Sequence, residues 1–83
     1  MHLLYFAWVR ERIGLDAEAL APPATVTTVA DLLDWLGRRS AGHAEAFADR
    51  TRLRVAVDQI FADMSTPVAS AREIAIFPPV TGG

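Results

Sequence analysis

The chain ends in Ile76-Phe77-Pro78-Pro79-Val80-Thr81-Gly82-Gly83, eight residues that mark the end of a last strand and the start of a tail. Proline fixes φ at about −65° and has no N–H group, so Pro78-Pro79 is expected to leave any sheet and continue as extended chain. Gly82-Gly83 has no side chains and can enter a channel too narrow for other residues. Fully extended, residues 78–83 could span about 20 Å. We therefore expect the tail to carry its carboxylate outside its own domain.

The composition indicates one soluble, packed domain of 83 residues, 52% of them hydrophobic. The chain has no cysteine, which excludes disulfides, thiolate catalysis and Cys-based metal sites. Its net charge of −2 gives no reason to expect nucleic acid or an anionic membrane as a partner. The apolar run at residues 3–9 is too short to span a bilayer and lacks the flanks of a signal peptide. A cytoplasmic location is therefore expected.

Hydrophobic patterning predicts the strands of one sheet. The aromatic-rich run at residues 3–9 is typical of a central strand that is covered on both faces. Asp58-Gln59 is predicted as the turn of a hairpin, and residues 63–67 as a loop. If the first and last strands are both central, they lie side by side and parallel. The predicted strands cover residues 3–9, 15–20, 53–57, 60–61 and 74–77.

One main helix is predicted after the second strand. Thr28 is its expected N-cap, with Asp31 three residues later in a variant of the capping box. Arg38-Arg39 is expected in the last turn, where cations are favoured, and Ser40–Gly42 is expected to break the helix. A short helical turn over residues 43–48 would present Phe47. The apolar stripe that faces the core is formed by Val29, Leu32, Leu33 and Leu36. The order β-β-α-β-β-β predicts an α+β fold with this helix packed across a mixed sheet.

The side chains within the domain do not form a recognisable catalytic pattern. His2 and His43 are far apart in sequence, so surface or hydrogen-bonded roles are favoured over a metal site. The acidic residues are not spaced as a catalytic dyad, and the serines lack a G-x-S-x-G context. Phe77 fits a core residue and an interface residue equally well, because it lies where the sheet ends. Three other aromatic residues are assigned to the core: Trp8, Trp35 and Phe47.

Three segments of the chain resemble the molybdopterin synthase sulfur-carrier subunit family (MoaD), a ubiquitin-like group. They are residues 5–11, the triplet Val57-Asp58-Gln59, and the stretch from Glu73 to Gly83. The resemblance covers nearly the whole chain, and its most specific part is the last six residues. Asp58 stands where the family often has Asn, and Ala71-Arg72 stands where the family usually has Gly-Asp. The resemblance implies a β-grasp domain over residues 1–77 and a flexible Gly-Gly tail over residues 78–83.

The resemblance also implies a function as a sulfur carrier in molybdenum cofactor biosynthesis. An E1-like adenylating enzyme would use ATP to activate the carboxylate of Gly83, which follows Gly82. A sulfur donor protein would then convert it to a thiocarboxylate. The large subunit of molybdopterin synthase, in a heterotetramer with this chain, would transfer the sulfur to cyclic pyranopterin monophosphate, and two rounds would build the dithiolene. The catalytic groups would belong to these partners, and the chain itself would bind no cofactor.

Family members dock on the large subunit through an apolar patch of the sheet. Matched by position, three phenylalanines would form this patch, Arg10 would be a polar contact, and the tail would enter the partner. The residues concerned are Phe6, Arg10, Phe61, Phe77, Pro78, Pro79, Val80 and Thr81. Aromatic residues at the centre of an interface are common anchors of binding.

Three other functions stay open from the sequence. The chain could be a related sulfur carrier for thiazole synthesis or tRNA thiolation, although those carriers typically lack the Phe-Pro-Pro-Val-Thr segment. It could be a modifier that is conjugated to lysines of other proteins. All eight of its basic residues are arginine, so an activated terminus could not form an isopeptide bond with a side chain of a second copy. It could also be a β-grasp interaction module whose tail is inert.

Overall fold

The computed structural model describes residues 1–79, which form one mixed five-stranded sheet and three α-helices. The strands are β1 (His2–Tyr5), β2 (Ala17–Ala19), β3 (Arg54–Val57), β4 (Ile60–Ala62) and β5 (Glu73–Phe77). The helices are α1 (Ala7–Ile13), α2 (Val29–Leu36) and α3 (Ala41–Ala46), and a 3-10 turn (Arg50–Arg52) precedes β3. The α+β class predicted from the sequence is confirmed.

The first and last strands lie at the centre of the sheet, whose order is β2-β1-β5-β3-β4. β1 and β5 are parallel, with Leu3 opposite Ile74 and Tyr5 opposite Ile76, as predicted. β2 pairs antiparallel with β1, and the β3–β4 hairpin adds to the other side of β5. The C-terminal end of β5 therefore lies next to the end of β1 and the start of β3, and this arrangement fixes where the tail leaves the domain.

The prediction of a strand over residues 3–9 is wrong in its second half. The chain leaves the sheet after Tyr5 and turns at Ala7, whose φ of 53° is in the left-handed region that non-glycine residues seldom adopt. Helix α1 follows, buries Val9 and ends at Gly14, which has a φ of 87°. A short apolar run fits both a buried strand and one face of a helix, so the run alone could not reveal this corner.

The predicted start and apolar stripe of α2 are confirmed. Thr28 and Asp31 form a reciprocal capping box, and all four stripe residues are buried. The prediction for its end is wrong, because the helix stops at Leu36 and Arg38-Arg39 lies beyond it.

Ser40–Gly42 was predicted to break the helix, but α2 has already ended at Leu36 and these residues begin α3. Ser40 is the N-cap of α3, and its hydroxyl accepts a hydrogen bond from the N–H of His43. Gly42 lies within α3, where a Cβ atom would overlap the carbonyl oxygen of Arg12 in α1. Glycine therefore allows α1 and α3 to approach closely. The expected short helix is present, and Phe47 is buried directly after it.

The hairpin turn between β3 and β4 lies at Asp58-Gln59, as predicted. Both residues have positive φ, 48° and 71°, which is typical of the tight turns that join paired strands. The Asp58 carboxylate accepts hydrogen bonds from the N–H groups of Arg72 and Glu73, each 2.9 Å long. An acidic residue at this position thus also holds the start of β5 in place.

One hydrophobic core lies between the sheet and α2. The sheet surface that faces it is called the closed face, and its residues are Leu3, Tyr5, Val55, Ile74 and Ile76. Phe47 belongs to this core, whereas Trp8 and Trp35 are only partly buried against it. The predicted core assignment is thus confirmed fully for Phe47 and in part for the two tryptophans. None of the helices formed by residues 1–79 is long and apolar enough to cross a membrane.

Candidate docking surface and tail

The sheet surface opposite the core carries an apolar row. Strand pairing places Leu4 opposite Ala75, Ala75 opposite Ala56, and Ala56 opposite Phe61, so the row crosses four strands. We call this surface the open face, and it comprises Leu4, Ala56, Phe61, Ala75 and Phe77. The two central residues, Ala56 and Ala75, have small side chains, so the middle of the row is a shallow depression between Leu4 and Phe61. Such a surface can receive apolar side chains of another protein.

Two phenylalanines form the most prominent part of the open face. Phe61 is 80% exposed and Phe77 is half-buried, with 5.9 Å between their ring centroids and 46° between their planes. They line a surface pocket of about 410 Å³ together with Arg54 and Pro79. Phe77 points away from the core, because it alternates with the buried Ile76. The structure therefore places Phe77 on the outer surface rather than in the core.

Phe6 continues the open face at the end of β1. Its backbone is extended and its N–H donates to the carbonyl oxygen of Ile76, so side-chain alternation places Phe6 on the same face as Leu4. Its side chain is 46% exposed. Arg10 is also exposed, but it lies on helix α1 and not in a strand. The structure thus brings Phe6, Phe61 and Phe77 to one surface and places Arg10 on the helix that follows Phe6.

The tail starts at the edge of this surface. Pro78 and Pro79 are partly buried, follow β5 directly and have no regular secondary structure. The predicted tail contacts Val80 and Thr81, and the predicted reactive residues Gly82 and Gly83, lie outside the described residues. The division into a domain of residues 1–77 and a tail of residues 78–83 stays a prediction.

A polar network on the other side of the sheet includes His43. Glu18 Oε2 accepts hydrogen bonds from the Tyr5 hydroxyl and from His43 Nε2, both 2.8 Å long. His43 Nδ1 lies 2.7 Å from Ser40 Oγ, so both ring nitrogens of this buried side chain have partners. Arg39 adds an ion pair to Glu18 at 3.6 Å. The network links β1, β2 and α3, and we assign it to stability.

The network also shifts two pKa values. Burial raises the pKa of the Tyr5 hydroxyl, and the hydrogen bond to Glu18 adds to this shift, so Tyr5 stays a neutral donor. Burial alone would raise the pKa of Glu18, but the hydrogen bonds from His43 and Tyr5 outweigh it and hold that pKa below its usual value. Glu18 is therefore an ionised acceptor at neutral pH. In the part of the chain that is described, no three His, Asp or Glu side chains cluster as metal ligands would.

Arg54 lies at the margin of the open face, and the sequence did not indicate it as a site residue. It lies opposite Phe77 in the pairing of β3 with β5, and it lines the pocket with the two phenylalanines. Leu4, Ala56 and Ala75 were also missed. Alternation counted back from Phe77 and Phe6 could have placed Ala75 and Leu4 on this face, whereas Arg54 and Ala56 depend on the strand register.

Comparison with known proteins identifies relatives along the whole chain. The ThiS family profile matches residues 3–83. The molybdopterin synthase sulfur carrier subunit of Escherichia coli is 40% identical over 81 residues, which cover 98% of this chain and 96% of the relative. The corresponding subunit of Haemophilus influenzae is 38% identical over 84 residues, covering 100% of this chain and 99% of the relative.

Solved structures show the same fold. SAMP1 from Haloferax volcanii superimposes with a TM-score of 0.72 at 27% identity, covering 100% of this chain and 98% of SAMP1. A putative molybdopterin converting factor, subunit 1, from Pyrococcus furiosus gives a TM-score of 0.76 at 24% identity, with 95% of each chain covered. The predicted ubiquitin-like β-grasp fold is thus confirmed. On the evidence of these matches and of its terminal Gly-Gly, the chain belongs to the ThiS family and, within it, to the molybdopterin synthase sulfur carrier subunits.

Proposed function

We propose that this chain carries sulfur for a molybdopterin synthase as a thiocarboxylate on Gly83. The observation that carries the proposal is the 40% identity to the Escherichia coli sulfur carrier subunit over nearly the whole of both chains. The sequence ends in Gly82-Gly83, and it has no cysteine that could carry the sulfur instead. The polar network around Glu18 is largely buried and internally hydrogen-bonded, so it does not compete for this role.

The chemistry follows from the weakness of a carboxylate as an electrophile. An E1-like adenylating enzyme would join the Gly83 carboxylate to the α-phosphorus of ATP, and pyrophosphate would leave. A donor protein would supply sulfur at the oxidation state of sulfide, whose attack on the carbonyl carbon would displace AMP and leave a thiocarboxylate. If the donor carries the sulfur as a persulfide, a thiol would have to supply the two electrons that cleave the resulting acyl disulfide. ATP is thus a substrate of the activating enzyme and not a cofactor of this chain. A side-chain-free Gly82-Gly83 suits this step, because the carbonyl carbon must reach groups inside other proteins.

The open face supports docking on a large subunit. Phe61 and Phe77 expose aromatic surface next to the point where Pro78 and Pro79 begin the tail. Docking there would place Val80 and Thr81 at the entrance of the large subunit, and Gly83 in its active site. The thiocarboxylate would then transfer its sulfur to cyclic pyranopterin monophosphate. Phe6 and Arg10 would contact the same partner, and two copies of each chain would form a heterotetramer.

A second candidate function is that of a protein modifier. The similarity to small archaeal modifier protein 1 from Haloferax volcanii, at 26% identity and a TM-score of 0.72, favours it. A modifier would leave the activating enzyme as an acyl donor to lysines of other proteins. A ladder of products linked to the tail in denaturing gels of cell extract would support this function over that of a sulfur carrier.

The mass of the intact chain tests the proposal. After incubation with ATP, an E1-like activating enzyme and a sulfur donor, the chain should gain the mass difference between one sulfur and one oxygen. A variant without Gly82-Gly83 should gain nothing. An unchanged mass, under conditions in which the same enzymes convert the Escherichia coli carrier, would contradict the proposal.

A further inference from the structure

Arg54 lies at the margin of the open face, next to the start of the tail at Pro79. It pairs with Phe77 across β3 and β5 and lines the pocket formed by Phe61, Phe77 and Pro79. Arg54 is exposed to solvent. A partner that covers the two phenylalanines must therefore also meet or bury this guanidinium.

The guanidinium of Arg54 is held in place by the backbone of the segment that precedes β3. Nη1 donates to the carbonyl oxygen of Leu53 at 2.8 Å and to that of Thr51 at 3.4 Å. Nη1 thus has two backbone acceptors, and it is one of three guanidinium nitrogens that together carry five N–H groups in a fixed plane. Nε and Nη2 keep three N–H groups, and none of them has a hydrogen-bond acceptor among residues 1–79. A side of the guanidinium suited to a carboxylate is thus left available.

Three other arginines of the domain pair with carboxylates. Arg12 pairs with Glu45, Arg50 with Asp34, and Arg39 with Glu18. Among residues 1–79 Arg54 shares its lack of an ion pair with Arg10, Arg38, Arg52 and Arg72, but of these five it is the one that lines the pocket of the open face. Arg54 has no carboxylate within ion-pair distance in the part of the chain that the structure describes. Its positive charge stands at the margin of the open face, and no acidic side chain of residues 1–79 forms an ion pair with it.

We propose that Arg54 is a specificity-determining contact, which binds a carboxylate of the large subunit at the margin of the open face. The inference rests on the proposed function, because it takes the large subunit as the partner. A carboxylate can accept two parallel hydrogen bonds from Nε and Nη2, and this geometry is stronger than a single contact. Docking would exclude water from the pocket and strengthen the attraction. A large subunit with an apolar residue at this point would leave a charge without a partner and would bind less well.

Binding of the purified large subunit by the full chain tests the inference. Arg54→Gln should raise the dissociation constant about tenfold at about 0.05 M salt, which corresponds to about 1.4 kcal/mol of binding free energy. At about 0.5 M salt the loss should shrink, because screening weakens the charge pair in the wild-type complex. The control is Arg38→Gln, which makes the same change in net charge on an exposed residue that follows α2. It should bind like the wild type at both salt concentrations.

Three results would overturn the inference: equal binding by Arg54→Gln and wild type, an equal loss in Arg38→Gln, or a loss that does not depend on salt. If any one of these results occurs while wild type binds and Phe77→Ala binds more weakly, the proposed function stands and the role of Arg54 falls. If wild type itself fails to bind the large subunit, both fall. Arg54→Gln should also unfold at the wild-type urea concentration, which separates weaker docking from a damaged fold.

Discussion

The two faces of the sheet are built from the same strands but have opposite surroundings. On the closed face, Tyr5, Val55 and Ile76 are at most 2% exposed and belong to the core with α2. On the open face, the adjacent residue Phe77 is half-buried and Phe61 is 80% exposed. Neighbouring positions of one strand therefore differ in whether the chain itself covers them. The closed face accounts for the stability of the domain, whereas the open face is available to a partner.

This difference has an energetic meaning. Burying a phenylalanine side chain stabilises a structure by about 1.5–3 kcal/mol. Folding realises this gain for Phe47, which is 4% exposed, but hardly at all for Phe61. The unused part can contribute to docking. Substitutions on the closed face should thus reduce the free energy of unfolding, and substitutions on the open face should reduce affinity.

The largest effect is expected on the closed face, for Ile76→Ala. Ile76 is fully buried at the centre of the sheet, so the substitution leaves a cavity and should lower the free energy of unfolding by about 3 kcal/mol. Urea denaturation measures this loss. Affinity for the large subunit should stay unchanged where the variant is folded. A loss below about 1 kcal/mol would show that the two faces are not as different as their burial indicates.

A smaller effect, on affinity, is expected on the open face. Phe61→Ala and Phe77→Ala should each weaken binding to the large subunit by about 2 kcal/mol, because aromatic side chains at an interface centre are common anchors. Both variants should remain folded. Titration calorimetry measures the affinity, and urea denaturation checks the fold.

Ile60 provides a matched control for Phe61. It is the neighbouring residue of β4, it is 72% exposed, and it pairs with Val57 on the opposite side of the sheet. Ile60→Ala should therefore leave affinity unchanged. An equal loss for Ile60→Ala and Phe61→Ala would mean that exposed apolar area, and not the open face, determines binding.

The smallest effect is expected in the polar network beside the closed face, and it depends on pH. The pKa of Glu18 is lower in the folded chain than its usual value, so its carboxylate stabilises the fold above the unfolded pKa of about 4.3. This contribution is lost as the pH falls through the folded pKa. Glu18→Gln should lower the free energy of unfolding at pH 7 by about 1 kcal/mol. The variant should also lose less of its unfolding free energy than the wild type when the pH is lowered.

Urea denaturation between about pH 3 and pH 7 measures this effect. Asp31, Asp49 and Asp63 also have lowered pKa values from hydrogen bonds, so some decline in acid should remain in the variant. Glu45→Gln is the control, since Glu45 forms only an exposed ion pair with Arg12. If Glu18→Gln and wild type lose stability in parallel on acidification, the assigned role of Glu18 is wrong.

The parts of the fold that were predictable from the sequence depend on local signals. Thr28 with Asp31 and the apolar stripe at helical spacing predicted the start of α2, and Asp58-Gln59 predicted the hairpin turn. Helix α1 was missed because the apolar run at residues 3–9 fits a buried strand as well as a buried helical segment. The corner at Ala7, with its positive φ, carries no glycine that would have marked it.

The site was only partly predictable, for a different reason. The terminal Gly-Gly and its proline spacer are visible in the sequence, and the resemblance pointed to three phenylalanines. The pattern alone could not decide between core and surface for Phe77, and it gave no sign of Arg54. The face of Phe77 depends on which residues of β5 pack on the core, and the position of Arg54 beside it depends on the register of β3 against β5; tertiary packing sets both. A register shifted by one residue would reverse the face of each side chain.

A single-turnover transfer assay measures whether Gly83 delivers sulfur when the open face is docked on the large subunit. Thiocarboxylated chain is mixed with the large subunit and cyclic pyranopterin monophosphate, and the masses of chain and pterin are followed together. We expect two carriers to return to the carboxylate for each dithiolene formed, and thiocarboxylated Phe77→Ala to do so only at higher protein concentration. Dithiolene formed equally well with a carrier that lacks Gly82-Gly83 would show that Gly83 does not deliver the sulfur.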